Sequence, residues 1–140
     1  MAITQTQCTV FKVNLLKGLE NFNTGTSYTY KIALYTASAT LNADTLAYTT
    51  DNEITGTGYT AGGNTLSPTV PTSGGTTAYI SFANVTWNPA SFTARGALIY
   101  NSTTGAAVAV LDFGADKTAT STFTVTFPTA DASNAIIRIS

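Results

Sequence analysis

The segment Asn52–Thr65, NEITGTGYTAGGNT, carries four glycines and invites comparison with loops that cradle phosphate. A dinucleotide fingerprint requires G-x-G-x-x-G, whereas three residues separate Gly58 from Gly62 here. A P-loop ends in Gly-Lys-Ser/Thr, and this segment contains no lysine. Both also need a helix N-terminus directly afterwards to aim its amides at the anion, and Asn64 to Pro71, with Pro68 inside it, does not supply one. The glycines therefore read as turn formers with positive backbone torsions, and Tyr59 is the loop's candidate contact to a partner chain.

The remaining side chains offer little for catalysis. With no histidine and one cysteine, Cys8, the chain lacks a Ser-His-Asp triad, a Cys-His pair, a zinc cluster and a haem ligand set. Paired carboxylates could serve a glycosidase, but of Glu20, Asp44, Asp51, Glu53, Asp112, Asp116 and Asp131 most fall in predicted turns, where Asp caps its own backbone. Asp112-Phe113-Gly114-Ala115-Asp116 has two acids but not the spaced pattern of a calcium loop, and Asp116 beside Lys117 suggests an exposed ion pair. Arg95 stands apart, in the apolar stretch TARGALIY. It reads as a partner contact, as one half of a salt bridge to Asp112, or as a snorkelling surface residue. No catalytic, metal or cofactor-binding residue is expected, and the chain reads as a non-enzyme.

The elements that must position these residues are mostly strands. Only 9% of residues are charged, and 29 are threonine, a β-branched residue that favours strands over helices. The 140 residues fit one domain with one core. The net charge is −1, and the six cations Lys12, Lys17, Lys31, Arg95, Lys117 and Arg138 form no basic stripe, which argues against nucleic acid and anionic membranes as partners. No apolar run approaches the roughly 20 residues of a membrane span, and the first residues do not read as a secretory signal.

Residues 1–8 read as an N-terminal arm or a first edge strand. Phe11, Leu15, Leu19 and Phe22 then recur at helical spacing, which predicts one helix from Thr9, as N-cap, to Glu20. Such a helix would cover one end of a β core or bind a partner. SYTYKIALY alternates as a strand after a turn at Asn23-Thr24-Gly25. Residues 36–65 form a long excursion, with a helical turn expected near Leu46 and a short strand leading to Tyr59. TTAYISFANVTW, apolar on both faces, reads as one central strand. FTARGALIY, AAVAVLDFG, STFTVTF and AIIRIS read as four more, with a hairpin at Asn101–Gly105 and a turn at Gly114–Lys117. The expected fold is all-β with one short N-terminal helix, an antiparallel β-sandwich or jelly roll, with a closed barrel as the alternative.

Along nearly its full length the chain, through CTVFKVNLLKGLENF, YKIALYTASATL, NEITGTGYTAGG, FTARGALIYN and AVAVLDFGADK in that order, resembles a family of small virion structural proteins of tailed bacteriophages. The resemblance implies a capsid decoration or cement protein, assembled in the host cytoplasm onto the virion, with the major capsid protein or another virion protein as partner. It also implies a trimer or ring of copies, and no catalytic residues. A neck or tail-fibre component is the alternative within that class. A carbohydrate-binding sandwich, stacking sugars on Tyr28, Tyr30, Tyr79 or Trp87, is the alternative outside it.

Overall fold

The computed structural model describes residues 2–23, 25 and 27–140; the turn expected at Asn23-Thr24-Gly25 involves Thr24, which lies outside the described residues. The elements in chain order are β1 (Thr6–Gln7), α1 (Thr9–Leu16), β2 (Tyr30–Tyr35), β3 (Asn64–Thr65), β4 (Thr72–Gly74), β5 (Thr77–Ile80), β6 (Val85–Trp87), β7 (Phe92–Asn101), β8 (Ala107–Ala119), β9 (Phe123–Val125) and β10 (Ile137–Ile139). They build a five-stranded sheet ordered β1-β8-β7-β2-β3, a three-stranded sheet β10-β5-β4 and a pair β6-β9. All of these strand pairs are antiparallel. Among the described residues no sheet closes into a barrel, which removes that alternative, and the arrangement is consistent with a β-sandwich.

The expected hairpin joins β7 to β8, with the Gly105 N–H donating to the Asn101 carbonyl at 2.7 Å. The turn expected at Gly114–Lys117 does not end β8. Arg95 faces a bulge of four residues, Phe113–Asp116, and pairing resumes where Ala94 meets Lys117. Gly114, at φ +81°, lies inside that bulge, so the turn chemistry bends the strand without terminating it.

α1 is shorter than its sequence pattern. It stops at Leu16, with Lys17 as C-cap and Gly18 in the left-handed region at φ +72°. Cys8, not Thr9, occupies the N-cap position, and the Thr9 N–H donates instead to the Ala43 carbonyl. Leu19 and Phe22 therefore leave the helical phase: Phe22 is buried and Leu19 is exposed. The Cys8 thiol is fully enclosed, and desolvation pushes its pKa up to about 11, which leaves it unreactive at neutral pH.

Of the two readings of residues 1–8, the edge strand is the one observed among residues 2–8. Thr6 and Gln7 pair with Val110 and Ala109, and Ile3 bridges Leu41. TTAYISFANVTW is not one strand but two, because the chain passes from one sheet to another between Ile80 and Val85. Ala83 N–H donates to the Ser67 carbonyl at this crossing, and the Ser81 hydroxyl donates to the Pro128 carbonyl. Apolar residues on both faces thus reflect two successive environments. The helical turn expected near Leu46 is an Asx-type turn instead, in which the Asp44 N–H donates to Asn42 Oδ1 at 2.8 Å.

β2 is buried along both faces, with only Lys31 half-buried. Its inner edge pairs with β7 over all six residues, and its outer edge is closed by the glycine-rich segment. Thr36 N–H donates to the Asn52 carbonyl, Ile54 N–H to the Leu34 carbonyl and Leu66 N–H to the Tyr30 carbonyl. The strand expected before Tyr59 is reduced to two isolated bridges, Glu53 to Tyr35 and Thr57 to Ser91. Such close apposition needs residues without a side chain. A Cβ on Gly63, at φ +76°, would lie 1.8 Å from the Ile32 carbonyl oxygen, and one on Gly58, at φ +87°, 1.7 Å from that of Pro89. Gly63→Ala is accordingly expected to cost about 3 kcal/mol or more in urea unfolding. Gly105→Ala, at φ +84° but with open space around it, should cost about 1 kcal/mol. Similar losses at both positions would contradict the edge-closing role.

Candidate functional site

Tyr59 is half-buried and directs its hydroxyl into the fold. The oxygen accepts the Leu34 N–H at 2.9 Å and donates to Glu53 Oε2 at 2.5 Å. Glu53 also accepts the Tyr48 hydroxyl on Oε1 at 2.7 Å and the Gly62 N–H on Oε2 at 2.8 Å. The ring of Tyr59 packs against Trp87 and Phe92, at centroid distances of 6.2 and 5.8 Å. Burial first, and then the hydrogen bond to Glu53, raise its phenol well above the ordinary range, so it stays a neutral donor. With three donors on one carboxylate, Glu53 is an organiser of the loop, and no oxygen of it is placed as a general base.

Arg95 forms the ion pair with Asp112 that the sequence suggested, Nε to Oδ1 at 3.3 Å, with the two side chains 35% and 28% exposed. The pKa of Asp112 is lowered first by the Gly114 N–H, which donates to the same oxygen at 2.8 Å, and then by Arg95. One bond at a half-exposed position stabilises by under about 1 kcal/mol. It is the only ion pair among the described residues, and Asp116 and Lys117 do not form one. Asp131 caps its own turn through the Ser133 and Asn134 amides. Among the described residues no three His, Cys, Asp or Glu side chains gather as metal ligands. The four rings that could have stacked on sugars are not a row: Tyr30 and Trp87 are only 2% and 3% exposed, while Tyr28 and Tyr79 are half-buried.

A different feature gathers binding potential. A groove of about 250 Å³ lies between the chain leaving α1 and the sheet β10-β5-β4, walled by Leu15, Phe22, Pro71, Ile80, Ile137 and Ile139. Among the described residues six large apolar side chains are exposed, and five belong to the segments forming these walls: Val13, Leu16, Leu19, Val70 and Ile139. Burying such a side chain is worth about 1.5–3 kcal/mol, so this side of the molecule holds unused binding energy. Leu16, at 91% exposure, makes no use of it within the monomer.

Glu20 anchors one wall. It is buried, and its Oε1 accepts the Tyr30 hydroxyl and Asn101 Nδ2, both at 2.9 Å. Tyr30 in turn accepts the Asn21 N–H, which ties the segment after α1 to β2 and β7. Oε2 is enclosed without a well-formed hydrogen bond, although Asn14 lies close enough to favour the charged form. Desolvation outweighs these three partners and raises the pKa of Glu20.

Sequence reasoning singled out Arg95 and Tyr59 and missed the groove. Helical spacing groups Leu19 with Phe11, Leu15 and Phe22 on one face, and the helix end at Gly18 turns it outward. The available signal was the run Val13, Leu15, Leu16 in a short helix, which carries more apolar positions than one buried face accepts. Comparison with family models, curated proteins and solved structures finds no match to this chain.

The raised pKa of Glu20 has a definite sign. The native state keeps a proton that the unfolded chain loses, so stability falls as pH rises from about 4.5 through the folded value. Glu20→Gln keeps the acceptor for Tyr30 and Asn101 but cannot titrate. Urea unfolding between pH 4 and 8 should show the variant gaining stability relative to wild type as pH rises. Parallel curves would contradict the assignment.

Proposed function

We propose that the chain is a structural virion protein of a tailed bacteriophage, binding the capsid surface as a decoration or cement protein without carrying out a reaction. The observation that carries this reading is the apolar groove beside α1, with Ile139 exposed on its wall and Val13, Leu16, Leu19 and Val70 exposed on the chain segments that form it. A protein whose exposed large apolar side chains gather beside one helix, and whose Glu20, Glu53, Asp112 and Asp131 carboxylates are taken up by internal hydrogen bonds, suits a role in contact. The resemblance to small virion structural proteins specifies the kind of contact. A surface of threonine, asparagine and serine with few long charged side chains suits repeated neutral contacts over a lattice. Copies arranged as a trimer or ring fit the same reading.

Purified particles provide the test. Quantitative mass spectrometry should find this chain at hundreds of copies per virion if it covers the capsid, and at about a dozen or fewer if it belongs to the neck or tail. Its absence from purified particles would contradict the proposal.

A further inference from the structure

The segments that form the groove are unevenly charged. Residues 9–22, 66–80 and 137–140 contain Lys12, Lys17 and Arg138 and a single acid, Glu20. Glu20 is buried at the groove's lining, its Oε1 taken up by Tyr30 and Asn101. Lys12 on α1 and Lys17 at its C-cap are exposed, they bracket the exposed Val13 and Leu16, and neither forms an ion pair among the described residues. Arg138 instead donates to the Ser133 carbonyl. The outward side of α1 therefore carries Val13 and Leu16 flanked by two cations, Lys12 in the middle of the helix and Lys17 at its C-cap, and among the described residues neither cation has an ion-pair partner.

From this charge pattern we infer that α1 and the adjoining groove dock an apolar segment of a different protein, one that carries acidic side chains on either side of its apolar contacts. The inference rests on the virion reading and specifies which face of the chain meets its partner. A second copy related by a two-fold axis is the wrong occupant. In a two-fold pair the same patch meets itself, which brings the lysines of both copies together in one desolvated contact. An anionic membrane is also a poor match, since lipid recognition of this type draws on clusters of about four to eight cations, and a concave groove receives side chains better than a flat headgroup layer. On a partner with acidic flanks, the two lysines set the register while Leu16, Leu19 and Ile139 supply the buried contact.

The test uses the full-length chain and particles assembled without it. Wild type, Lys12→Glu/Lys17→Glu, Leu16→Asp and, as a control on another part of the surface, Lys117→Glu are titrated onto those particles at low and high ionic strength. All four positions are exposed or half-exposed, and circular dichroism confirms that each variant is folded. Both groove variants should bind at least about tenfold more weakly than wild type at low salt. The wild-type advantage over the lysine variant should shrink at high salt, and Lys117→Glu should bind as wild type does. If the chain is present in native virions but all variants rebind equally, this inference fails and the virion reading survives. If it is absent from virions, both fail. Wild-type dimerisation that Leu16→Asp abolishes, or wild-type binding to phosphatidylserine vesicles that the lysine variant loses, would replace the proposed occupant with a second copy or a membrane.

Discussion

The outer edge of β2 is the constraint on which the rest of the structure depends. The strand is buried on both faces and paired with β7 along its inner edge, so any N–H or carbonyl left open on the other edge would be desolvated without a partner. Two residues of β3 cover only Lys31 and Ile32. The glycine-rich segment covers what remains, with Ile54 and Leu66 pairing at either end and the Tyr59 hydroxyl taking the Leu34 N–H between them. Glu53 makes this possible by holding Tyr59, Tyr48 and Gly62 together on one carboxylate. An edge that would otherwise invite another strand is closed from within the chain.

Closing that edge also organises the core. Tyr59 brings its ring onto Trp87, which with Phe92 and Phe123 joins the β6-β9 pair to the main sheet. A second aromatic group, Phe11, Phe22, Tyr30 and Phe82, does the same beneath α1 and the three-stranded sheet. Glu20 bonds to Tyr30 of this second group and to Asn101, which ties the chain after α1 to β2 and β7. The Glu53 and Glu20 carboxylates are thus spent on architecture. The exposed apolar residues beside α1 are the part of the molecule with binding capacity to spare.

STFTVTF was legible because strict alternation puts Phe123, Val125 and Phe127 inside and the threonines outside, as the structure has it. The Asn101–Gly105 hairpin and the Arg95–Asp112 pair were legible for similar reasons, since neighbouring strands and a turn signal determine them locally. Periodicity overran the true end of α1 because Leu19 and Phe22 keep helical spacing after Gly18 has already turned the chain. The crossing between β5 and β6 was hidden because a strand covered on two sides and a strand changing sheets share one apolar signature. The role of NEITGTGYTAGGNT was hidden for a deeper reason. Its glycines answer to Ile32 and Pro89, neighbours that only the tertiary fold supplies.

If the glycine-rich segment is structural, its stability must depend on Glu53, and the equilibrium stability of Glu53→Ala measures this most directly. Removing the carboxylate strands two phenols and one amide, and the account predicts a loss of about 3 kcal/mol or more in urea unfolding. Amide exchange at Leu34 and Ile54 should accelerate in step with it. A loss below about 0.5 kcal/mol with exchange unchanged would contradict the account and return the loop to consideration as a surface free to bind something else.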